Sequence, residues 1–393
     1  MEYVLLSEVA SYSKLRTKEI ELNSYISTEN MLPNKMGVTL ASSIPAATSA
    51  SKYEVGDILL SNIRPYFCKI WQADKIGSCS GDVLVVRAND SIDSKFLYYV
   101  LSDPNFFNYD TITSKGTKMP RGNKRAIMKY LVPHVSMDVQ HRIASILSTY
   151  DSLIENNTKR ISLLEKMAET LYKEWFVRFR FPGHENVEME NGLPKGWKYY
   201  RIEDLCDINR ETIKIANAPK DILYLDTGSV TRGKISDVES LTFADAPSRA
   251  RRIVRNDSII YSTVRPNLQH YGILKNPPSN LLVSTGFAVL DCKEEIANIV
   301  YLALSHPSVY RYCSLIADCA VATYPSIKPK EIGRIYIALP KMSVCKRWNE
   351  KIESYYKMIN NLQLQNSLLA RQRDLLLPRL MSGKLEVKEE LLE

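Results

Sequence analysis

Residues 348–380 read WNEKIESYYKMINNLQLQNSLLARQRDLLLPRL, and residues 139–175 read VQHRIASILSTYDSLIENNTKRISLLEKMAETLYKEW. In both stretches apolar side chains recur at alternating steps of three and four residues, which is the seam of a helix that packs on another helix. Proline marks the ends, at Pro182 and Pro378. The residues predicted to lie in the seam between the helices are Ile143, Leu164, Leu171, Trp175, Ile352, Ile359, Leu369 and Leu376. We predict that the two helices pack on each other as a coiled coil; the alternative is that each packs only on its own globular domain.

The two helices belong to a longer internal repeat. Residues 58–65, ILLSNIRP, recur as IIYSTVRP at residues 259–266, and five further matches follow in the same order along the two halves. Apolar, β-branched runs in each half predict strands, and the stretches before Pro104 and Pro307 predict helices. The predicted fold class is therefore mixed α/β, in two copies related by an internal repeat, each copy followed by a long helix.

The repeat and the composition define the expected domains. A segment with two prolines, three glycines and three glutamates separates the halves, which is typical of a linker. The predicted divisions are a first domain over 1–135, a central helix over 136–181, a linker over 182–197, a second domain over 198–341, and a C-terminal helix with its tail over 342–393.

Composition excludes several classes of protein. The 393 residues carry 52 basic and 44 acidic side chains, a net charge of +8, with 45% hydrophobic residues, as in ordinary globular proteins. We expect no membrane span, because no apolar run approaches the ~18 residues required, and no secretory signal. The seven cysteines predict reduced thiols, and the scattered histidines predict no metal site. Near matches to nucleotide-binding and methyltransferase motifs each lack a required residue. A loose nuclease pattern at Asp82 and Asp93–Lys95 is common by chance and has no counterpart in the second half, so we predict a protein without catalytic residues.

Short motifs across the whole chain resemble one family. They are Leu131–Pro133 leading into Gln140–Ile143, the helix segments 163–168 and 171–176, the restart Leu193–Trp197, and the end at 373–383. Together these resemble the specificity (S) subunit of type I restriction–modification systems.

The resemblance implies a non-catalytic subunit that confers DNA specificity. Each globular part would be a target recognition domain that reads one half of a bipartite, asymmetric site in double-stranded DNA. The long helices would form an antiparallel coiled coil that separates the domains and docks two methyltransferase (M) subunits. S-adenosylmethionine is expected in those subunits and no cofactor in this chain. Restriction (R) subunits would complete a cytoplasmic, prokaryotic complex.

Loops with basic and amide side chains are the candidates for DNA contact, since Arg, Lys and Asn bind phosphates or base edges. For any one residue, base reading and phosphate contact remain open alternatives. The predicted DNA-binding residues are Lys115, Lys118, Arg121, Asn123 and Lys124, with Asn30 and Arg64, in the first half, and Arg249, Arg251, Arg252, Ser229, Arg265, Tyr324 and Lys328 in the second.

Arg64 and Arg265 occupy matched positions before proline. One interpretation is a phosphate clamp in both halves. The other is a buried arginine paired with a carboxylate such as Asp57 or Asp257.

Two other functions stay open on the sequence alone. One is a structural adaptor whose coiled coil joins proteins without reading DNA, and the other is a nuclease or modification enzyme that acts alone.

Overall fold

The structure is a computed structural model that describes residues 2–235, 238–320 and 325–385. The chain divides into two compact units. Unit 1 comprises Met1–Asn157 and Gln365–Glu393, and unit 2 comprises Thr158–Leu364. Each unit therefore contains one globular part together with a section of each long helix.

Unit 1 is a mixed α/β unit. Its strands are β1 (Glu2–Leu5), β2 (Ala10–Tyr12), β3 (Arg16–Thr17), β4 (Tyr25–Ile26), β5 (Ala50–Tyr53), β6 (Ile58–Ser61), β7 (Ile70–Gln72), β8 (Gly77–Cys79), β9 (Val83–Ala88) and β10 (Leu131–His134). Its helices are α1 (Leu6–Val9), α2 (Ser94–Ser102), α3 (Pro104–Thr113), α4 (Lys124–Ile127) and the first part of α5 (Met137–Tyr172). A 3-10 turn covers Pro65–Phe67.

The strands of unit 1 form two four-stranded sheets and one ribbon. The first sheet has the order β2-β9-β6-β7 and is antiparallel throughout. The second has the order β3-β5-β8-β4, in which β4 runs parallel to β8. Strands β1 and β10 pair as a separate ribbon. The central strands are buried on both faces, which is why β6 and β9 read as continuous apolar runs rather than as alternating ones.

Aspartates set the starts of the helices that follow the first sheet. The Asp93 carboxylate accepts a hydrogen bond from the Phe96 amide at 2.7 Å, and Asp103 accepts one from the Asn105 amide at 2.7 Å. Pro104 occupies the first turn of α3, where its missing N–H costs nothing. These caps fix the position of α3 and of the loop that leaves it.

Unit 2 repeats this architecture with additions. Its strands are β11 (Met189–Glu190), β12 (Leu193–Pro194), β13 (Lys198–Arg201), β14 (Cys206–Ile208), β15 (Asp221–Leu225), β16 (Val230–Thr231), β17 (Lys234–Ile235), β18 (Glu239–Thr242), β19 (Ala250–Ile253), β20 (Ile259–Ser262), β21 (Tyr271–Ile273), β22 (Leu281–Ser284), β23 (Phe287–Cys292) and β24 (Tyr336–Leu339). Its helices are α6 (Ile202–Leu205), α7 (Glu294–Leu304), α8 (Pro307–Ala320), α9 (Pro329–Gly333) and the first part of α10 (Met342–Met381). The 3-10 turns are His184–Asn186, Ile215–Asn217 and Pro266–Leu268.

The sheets of unit 2 have the same connectivity as those of unit 1. The order β14-β23-β20-β21 reproduces β2-β9-β6-β7 strand for strand, and the parallel pair β15–β22 corresponds to β4–β8. Unit 2 adds β18 outside β15, while an isolated bridge between Thr212 and Arg252 replaces the β3–β5 pairing. The internal repeat of the sequence is thus a repeat of topology.

In unit 1 the long helices supply part of the core and contact each other. Ile143 of α5 and Leu377 of α10 belong to one buried cluster, to which Leu376 is peripheral. Asp151 pairs with Arg373 and accepts a hydrogen bond from the Tyr99 hydroxyl of α2. The amide of Asn157 donates to Gln365 at 3.5 Å. Since residue numbers rise on α5 as they fall on α10, the helices run in opposite directions here.

In unit 2 the other sections of the helices make equivalent contacts. Ile161, Ile359 and Leu362 form a small cluster with Leu164 at its edge. Beyond it the aromatic rings of Tyr172 and Phe176 contact Trp348, with centroids 6.4 and 5.2 Å apart. Among the other predicted seam residues, Trp175 and Ile352 are buried in the main core, Leu171 packs at its edge, and Leu369 (in unit 1) is half-buried.

Three details of the predicted helices are wrong. Helix α5 ends at Tyr172 and continues as a single π turn over Lys173–Val177, short of the predicted end at 181. Pro378 lies inside α10 rather than after it. The helix continues because Leu377 and Leu380 are buried in unit 1, and that packing offsets the backbone hydrogen bond lost at proline. The alternating pattern also places Leu153 in the seam, but Leu153 is exposed, whereas Leu147 is fully buried.

The prediction of seven reduced cysteines is wrong for one pair. Cys206 and Cys292 form a disulfide. The antiparallel register of β14 and β23 places these two residues opposite each other, a proximity that a sequence separation of 86 residues does not reveal. Cys68, Cys79, Cys313, Cys319 and Cys345 are free thiols.

The Trp348 cluster tests the helix packing of unit 2. Trp348→Ala removes a fully buried ring, and we expect the free energy of unfolding to fall by about 3–5 kcal/mol. Leu364→Ala, at an exposed position of the same helix, should change it by less than about 0.5 kcal/mol. Urea denaturation followed by circular dichroism measures both; equal effects would contradict the buried position of the Trp348 ring.

Candidate nucleic-acid interface

The candidate interface of unit 1 is built from three loops. They are the strand-end loop (residues 27–37, after β4), the arginine–proline turn (residues 62–69, after β6) and the basic loop (residues 114–123, before α4). Each leaves a different element of the fold, so the sheets and α3 determine where they meet.

Backbone hydrogen bonds hold the three loops of unit 1 together. The Arg64 amide donates to the carbonyl of Pro120 at 2.8 Å, and the Gly122 amide donates to the carbonyl of Asn62 at 3.0 Å. On the other side, the Asn34 and Lys35 amides donate to the carbonyls of Phe67 and Cys68, both at 2.9 Å. The arginine–proline turn is therefore the centre of the arrangement.

Unit 2 contains the same arrangement in its own residues. The Arg265 amide donates to the carbonyl of Pro325 at 2.9 Å, and the Ile327 amide donates to Thr263 at 2.8 Å. The Arg232 amide donates to the carbonyl of Gln269 at 3.0 Å, and its side chain donates to the Gln269 amide oxygen at 2.7 Å. Residues 226–233, 263–270 and 325–328 thus correspond to the strand-end loop, the turn and the basic loop of unit 1.

The matched arginines have the same unusual backbone. Arg64 has a φ of 51° and Arg265 a φ of 46°, both in the left-handed region that non-glycine residues avoid. Proline follows in each case and starts the 3-10 turn. An arginine kept at a position where glycine is less strained indicates that its side chain, and not its backbone, is the reason for its presence.

The two carboxylates considered as partners of these arginines, Asp57 and Asp257, bind other cations. Asp57 binds Arg87, with both carboxylate oxygens at 2.7 Å from the guanidinium, and Asp257 binds Lys275. The arginine–proline turns lie elsewhere, at the loops. The Arg64 guanidinium lies 6.0 Å from the ring of Phe67, and its Nε is buried without a hydrogen-bond acceptor.

The basic loop presents most of the predicted cations of unit 1 to solvent. Lys115, Lys118, Arg121 and Lys124 are exposed, and Arg121 pairs with Asp82 at 3.3 Å. Asn123 instead caps α4, because its side-chain oxygen accepts from the amides of Arg125 and Ala126. Its role in the loop is therefore at least structural.

Asn30 does not belong among the exposed candidates. It is buried, its Oδ1 accepts from the Ser27 amide at 2.6 Å, and its Nδ2 donates to the carbonyls of Tyr25 and Thr39. These bonds occupy both ends of the side chain, so Asn30 shapes the strand-end loop rather than facing a ligand.

The candidates of unit 2 are more dispersed. Arg249 is exposed and Thr285 donates to its carbonyl at 2.8 Å, next to Gly286, which accepts from Thr263 of the turn. Lys328 is exposed beside the third loop, and the Ser229 amide binds Asp226. Tyr324 lies outside the described residues.

Arg251 and Arg252 make contacts of their own in unit 2. The Arg251 guanidinium lies 4.9 Å from the ring of Phe243, and Arg252 donates to the Thr212 hydroxyl at 3.1 Å. Burial lowers the pKa of Arg252 from its ordinary value. Both arginines therefore stabilise the second sheet, and Arg249 is the stronger candidate for a ligand contact.

Sequence reasoning missed some residues of the interface. Tyr66 and Phe67 are exposed aromatic residues on the turn of unit 1, beside Lys69, whose Nζ donates to the carbonyl of Thr28 at 2.6 Å. Burial lowers the pKa of Lys69, and Glu29 partly offsets this effect. Lys35 and Arg232 were missed as well. The repeated Arg-Pro pair was the available signal, since it marks the turn on which all of these residues converge.

No group of three or more His, Cys, Asp or Glu residues in the described part of the chain is arranged to hold a metal ion. None of the helices described is both long and apolar enough to cross a membrane.

Comparisons with known proteins agree with this organisation. A family model for the type I restriction modification DNA specificity domain matches residues 6–166. The chain is 24% identical over 322 residues to the type I restriction enzyme MjaIX specificity subunit of Methanocaldococcus jannaschii, covering 76% of this chain and 71% of that protein. It is also 24% identical over 318 residues to the MjaVIII specificity subunit of the same organism, covering 78% and 73%. In fold it is similar to the crystal structure of a type I restriction–modification S subunit from M. genitalium, with a TM-score of 0.56, 16% identity and coverage of 98% and 96%.

Residues 6–166 match the type I restriction modification DNA specificity domain, and they contain the three-loop arrangement of unit 1. Over about three quarters of its length the chain is similar to specificity subunits of type I restriction–modification systems. Specificity subunits of such systems are non-catalytic and provide the DNA specificity of the complex.

The left-handed arginine gives a direct test of the turn. Arg64→Gly and Arg64→Ala both remove the side chain, but only glycine adopts a φ of 51° without steric cost. We expect the glycine variant to be more stable than the alanine variant by about 1 kcal/mol. Thermal denaturation of the two proteins measures the difference. The same pair at Arg265 serves as an independent repeat, and an alanine variant as stable as the glycine variant would contradict the strained turn.

Proposed function

We propose that each unit reads one half of a bipartite, asymmetric DNA site through its three-loop face, while the long helices hold the two faces at a fixed separation and dock two methyltransferase subunits. The single observation that carries this proposal is the repetition of the three-loop arrangement around Arg64 and Arg265 with different side chains. The two units hold their loops in the same arrangement but present different side chains, which suits recognition of two different half-sites. The chemistry, with S-adenosylmethionine, resides in the methyltransferase subunits, and restriction subunits complete the complex on DNA in the prokaryotic cytoplasm.

We propose the following division of the chain. The two recognition domains correspond to residues 1–135 and 198–341, the spacer to the helices within 136–181 and 342–393, and the linker to residues 182–197. A helix pair is suited to the spacer because it holds distance far better than a flexible chain. The antiparallel contacts seen in each unit, such as Asp151 with Arg373 and Ile161 with Ile359, support an antiparallel coiled coil.

The exposed side of the helices supports docking of two equal partners. Leu163 and Leu368 occupy equivalent positions of the repeat, in the matching sequences Ser162–Leu164 and Ser367–Leu369, and both are more than half exposed. Exposed leucines on a helix favour protein contact. Because the motif occurs twice, it suits two copies of the same subunit.

The main experiment maps methylation. The chain is co-expressed with its methyltransferase subunit in a host without adenine methylation, and N6-methyladenine is located by long-read sequencing. We expect a split, asymmetric motif that depends on this chain. A soluble complex that methylates nothing would favour the structural adaptor, and purified chain that cuts or methylates DNA unaided would favour an independent enzyme.

Arg121→Ala tests the basic loop. If Arg121 reads a base, the affinity for the mapped site should fall by about 1–3 kcal/mol while affinity for a random duplex changes little. A uniform loss with a smaller salt slope would identify a phosphate contact instead. Lys14→Ala, which removes an exposed cation outside the three loops, is the matched control. Fluorescence anisotropy at several salt concentrations measures the affinity of the wild type, Arg121→Ala and Lys14→Ala for both duplexes. If Arg121→Ala binds both duplexes as the wild type does, Arg121 is not part of the interface.

Leu163→Asp and Leu368→Asp test the docking surface. A charge at an exposed helix position leaves the fold intact but opposes burial in an interface, so we expect loss of methyltransferase subunits in a pull-down, with an unchanged circular dichroism spectrum. Ser162→Asp and Ser367→Asp place the same charge one residue away, at exposed positions, and should retain binding. Normal assembly of both leucine variants would move the docking surface elsewhere.

A further inference from the structure

Three buried oxygen atoms converge beneath the basic loop of unit 1. Asp110 of α3 is fully buried, and neither of its carboxyl oxygens has a hydrogen-bond partner among the described residues. The Oδ1 of Asn62, on the arginine–proline turn, is also buried without a partner. A Cβ on Gly122 would lie 2.7 Å from Asp110 Oδ1, 3.1 Å from Asn62 Oδ1 and 3.3 Å from Asp110 Oδ2. The two side chains thus meet at the backbone of the basic loop, and this approach requires glycine there.

Three buried oxygen atoms that no donor of the described residues satisfies are not a stable arrangement. An ionised carboxylate without a hydrogen bond or a counter-charge costs several kcal/mol in the interior. A protonated carboxyl group changes the situation, because its O–H can donate to the amide oxygen of Asn62 and satisfies two of the three atoms at once. Burial raises the pKa of Asp110 to about 7, in agreement with this requirement.

Unit 2 shows what the same location looks like without titratable oxygen. Asp110 is the seventh residue of α3 and Cys313 the seventh of α8, while Asn62 corresponds to Thr263 and Gly122 to Ile327. Cys313 and Ile327 are both buried in the apolar core. An isoleucine side chain and a neutral thiol therefore take the place of the glycine and the carboxyl group. The polar cluster is a feature of unit 1 and not a requirement of the fold.

We propose that Asp110 is a positioning residue for the basic loop of unit 1, in which its carboxyl group carries a proton and donates it in a hydrogen bond to Asn62, and that release of this proton to solvent loosens the loop. Two backbone hydrogen bonds connect Asn62 and its neighbours to the basic loop. The Gly122 amide donates to the Asn62 carbonyl, and the Arg64 amide donates to the Pro120 carbonyl. The consequence for DNA binding rests on the proposed function; the effect on the loop does not.

The other polar groups around Asp110 do not replace this proton. The elements and loops next to α3 carry the Tyr12 hydroxyl, which donates to the Lys124 carbonyl, the buried Nε of Arg64 and the Arg121 guanidinium, which pairs with Asp82. The remaining cations on these elements, Lys95, Lys115, Lys124 and Arg125, are exposed. Burial is the cause of the raised pKa of Asp110. Burial is also the main cause of the raised pKa of Tyr12, to which Asp110 contributes.

The direction of the pH effect follows from these values. The pKa of Asp110 is raised in the folded protein from its ordinary value of 3.8 to about 7, so the folded state holds the proton more tightly than the unfolded chain. The stability that this provides is full below about pH 4 and is lost as the pH rises to about 7. The loop is therefore most firmly held on the acidic side of neutrality.

Hydrogen–deuterium exchange of the full-length chain tests the proposal without any ligand. Between about pH 6 and about pH 8.5, exchange of residues 115–124 in the wild type should rise about tenfold beyond the intrinsic rate, which equals one pKa unit of coupling. In Asp110→Asn the amide can donate to Asn62 at every pH, so the excess should disappear. The corresponding loop of unit 2, residues 325–328, should show no excess exchange in the wild type or in Asp110→Asn. The control variant Cys313→Ser should likewise show no excess exchange in that loop. A wild-type loop that follows Asp110→Asn at every pH would overturn the proposal.

Two further measurements keep the result decisive. If Asp110→Asn does not fold, Gly122→Ala provides the second variant, since its Cβ displaces the carboxyl group and should raise loop exchange at all pH values; unchanged exchange would overturn the proposal. Anisotropy with a labelled duplex that carries the mapped site should show about a tenfold loss of affinity over the same pH range in the wild type and none in Asp110→Asn. Absence of DNA binding at every pH would contradict the proposed function and leave the loop measurement to decide the role of Asp110.

Discussion

The apolar stripe of the two long helices is the constraint on which the rest of the structure depends. A stripe of this length cannot remain in water, and a domain of ordinary size cannot cover it alone. The chain meets this requirement within each unit, where sections of both helices pack on each other and on the sheets. Leu377 and Leu380 from the end of the chain are buried with Ile143 in unit 1, and Trp348 is buried with Tyr172 in unit 2. Each unit is thereby closed by residues that are distant in sequence.

Rigid scaffolding of this kind allows the loops to carry strain. Arg64 and Arg265 keep left-handed backbones that a glycine would adopt at lower cost, and each is held there by a hydrogen bond from its amide to the loop opposite. The strain is present in both units although the neighbouring side chains differ. The backbone conformation of the turn is thus the same in both units, whereas the side chains around it differ. The proposed recognition of two different half-sites requires this combination.

The sequence was sufficient for the repeating features and insufficient for the contacts made by single side chains. The repeat and the heptads predicted two α/β halves and two long helices, because periodic burial leaves a periodic pattern. Strand register places Cys206 opposite Cys292 and brings residues 27–37 next to the arginine–proline turn. A single sequence does not reveal this register. Asn30 was predicted to contact DNA because an asparagine side chain can bind a base edge. Its hydrogen bonds with Ser27, Tyr25 and Thr39 depend on how the loop folds, and the sequence does not show them. The helix through Pro378 was missed for a similar reason, since the burial of its last turn decides its continuation.

Divergence beneath the faces is as informative as divergence on them. If the two units differed only in exposed side chains, Asp110, Asn62 and Gly122 would have equivalents of the same chemistry in unit 2. Instead Cys313, Thr263 and Ile327 fill that location with neutral groups, two of them within the apolar core. An apolar support holds a loop in a way that does not vary with pH, whereas a buried carboxyl group supports it only while protonated. The two three-loop faces therefore share a topology but differ in what holds their loops in place.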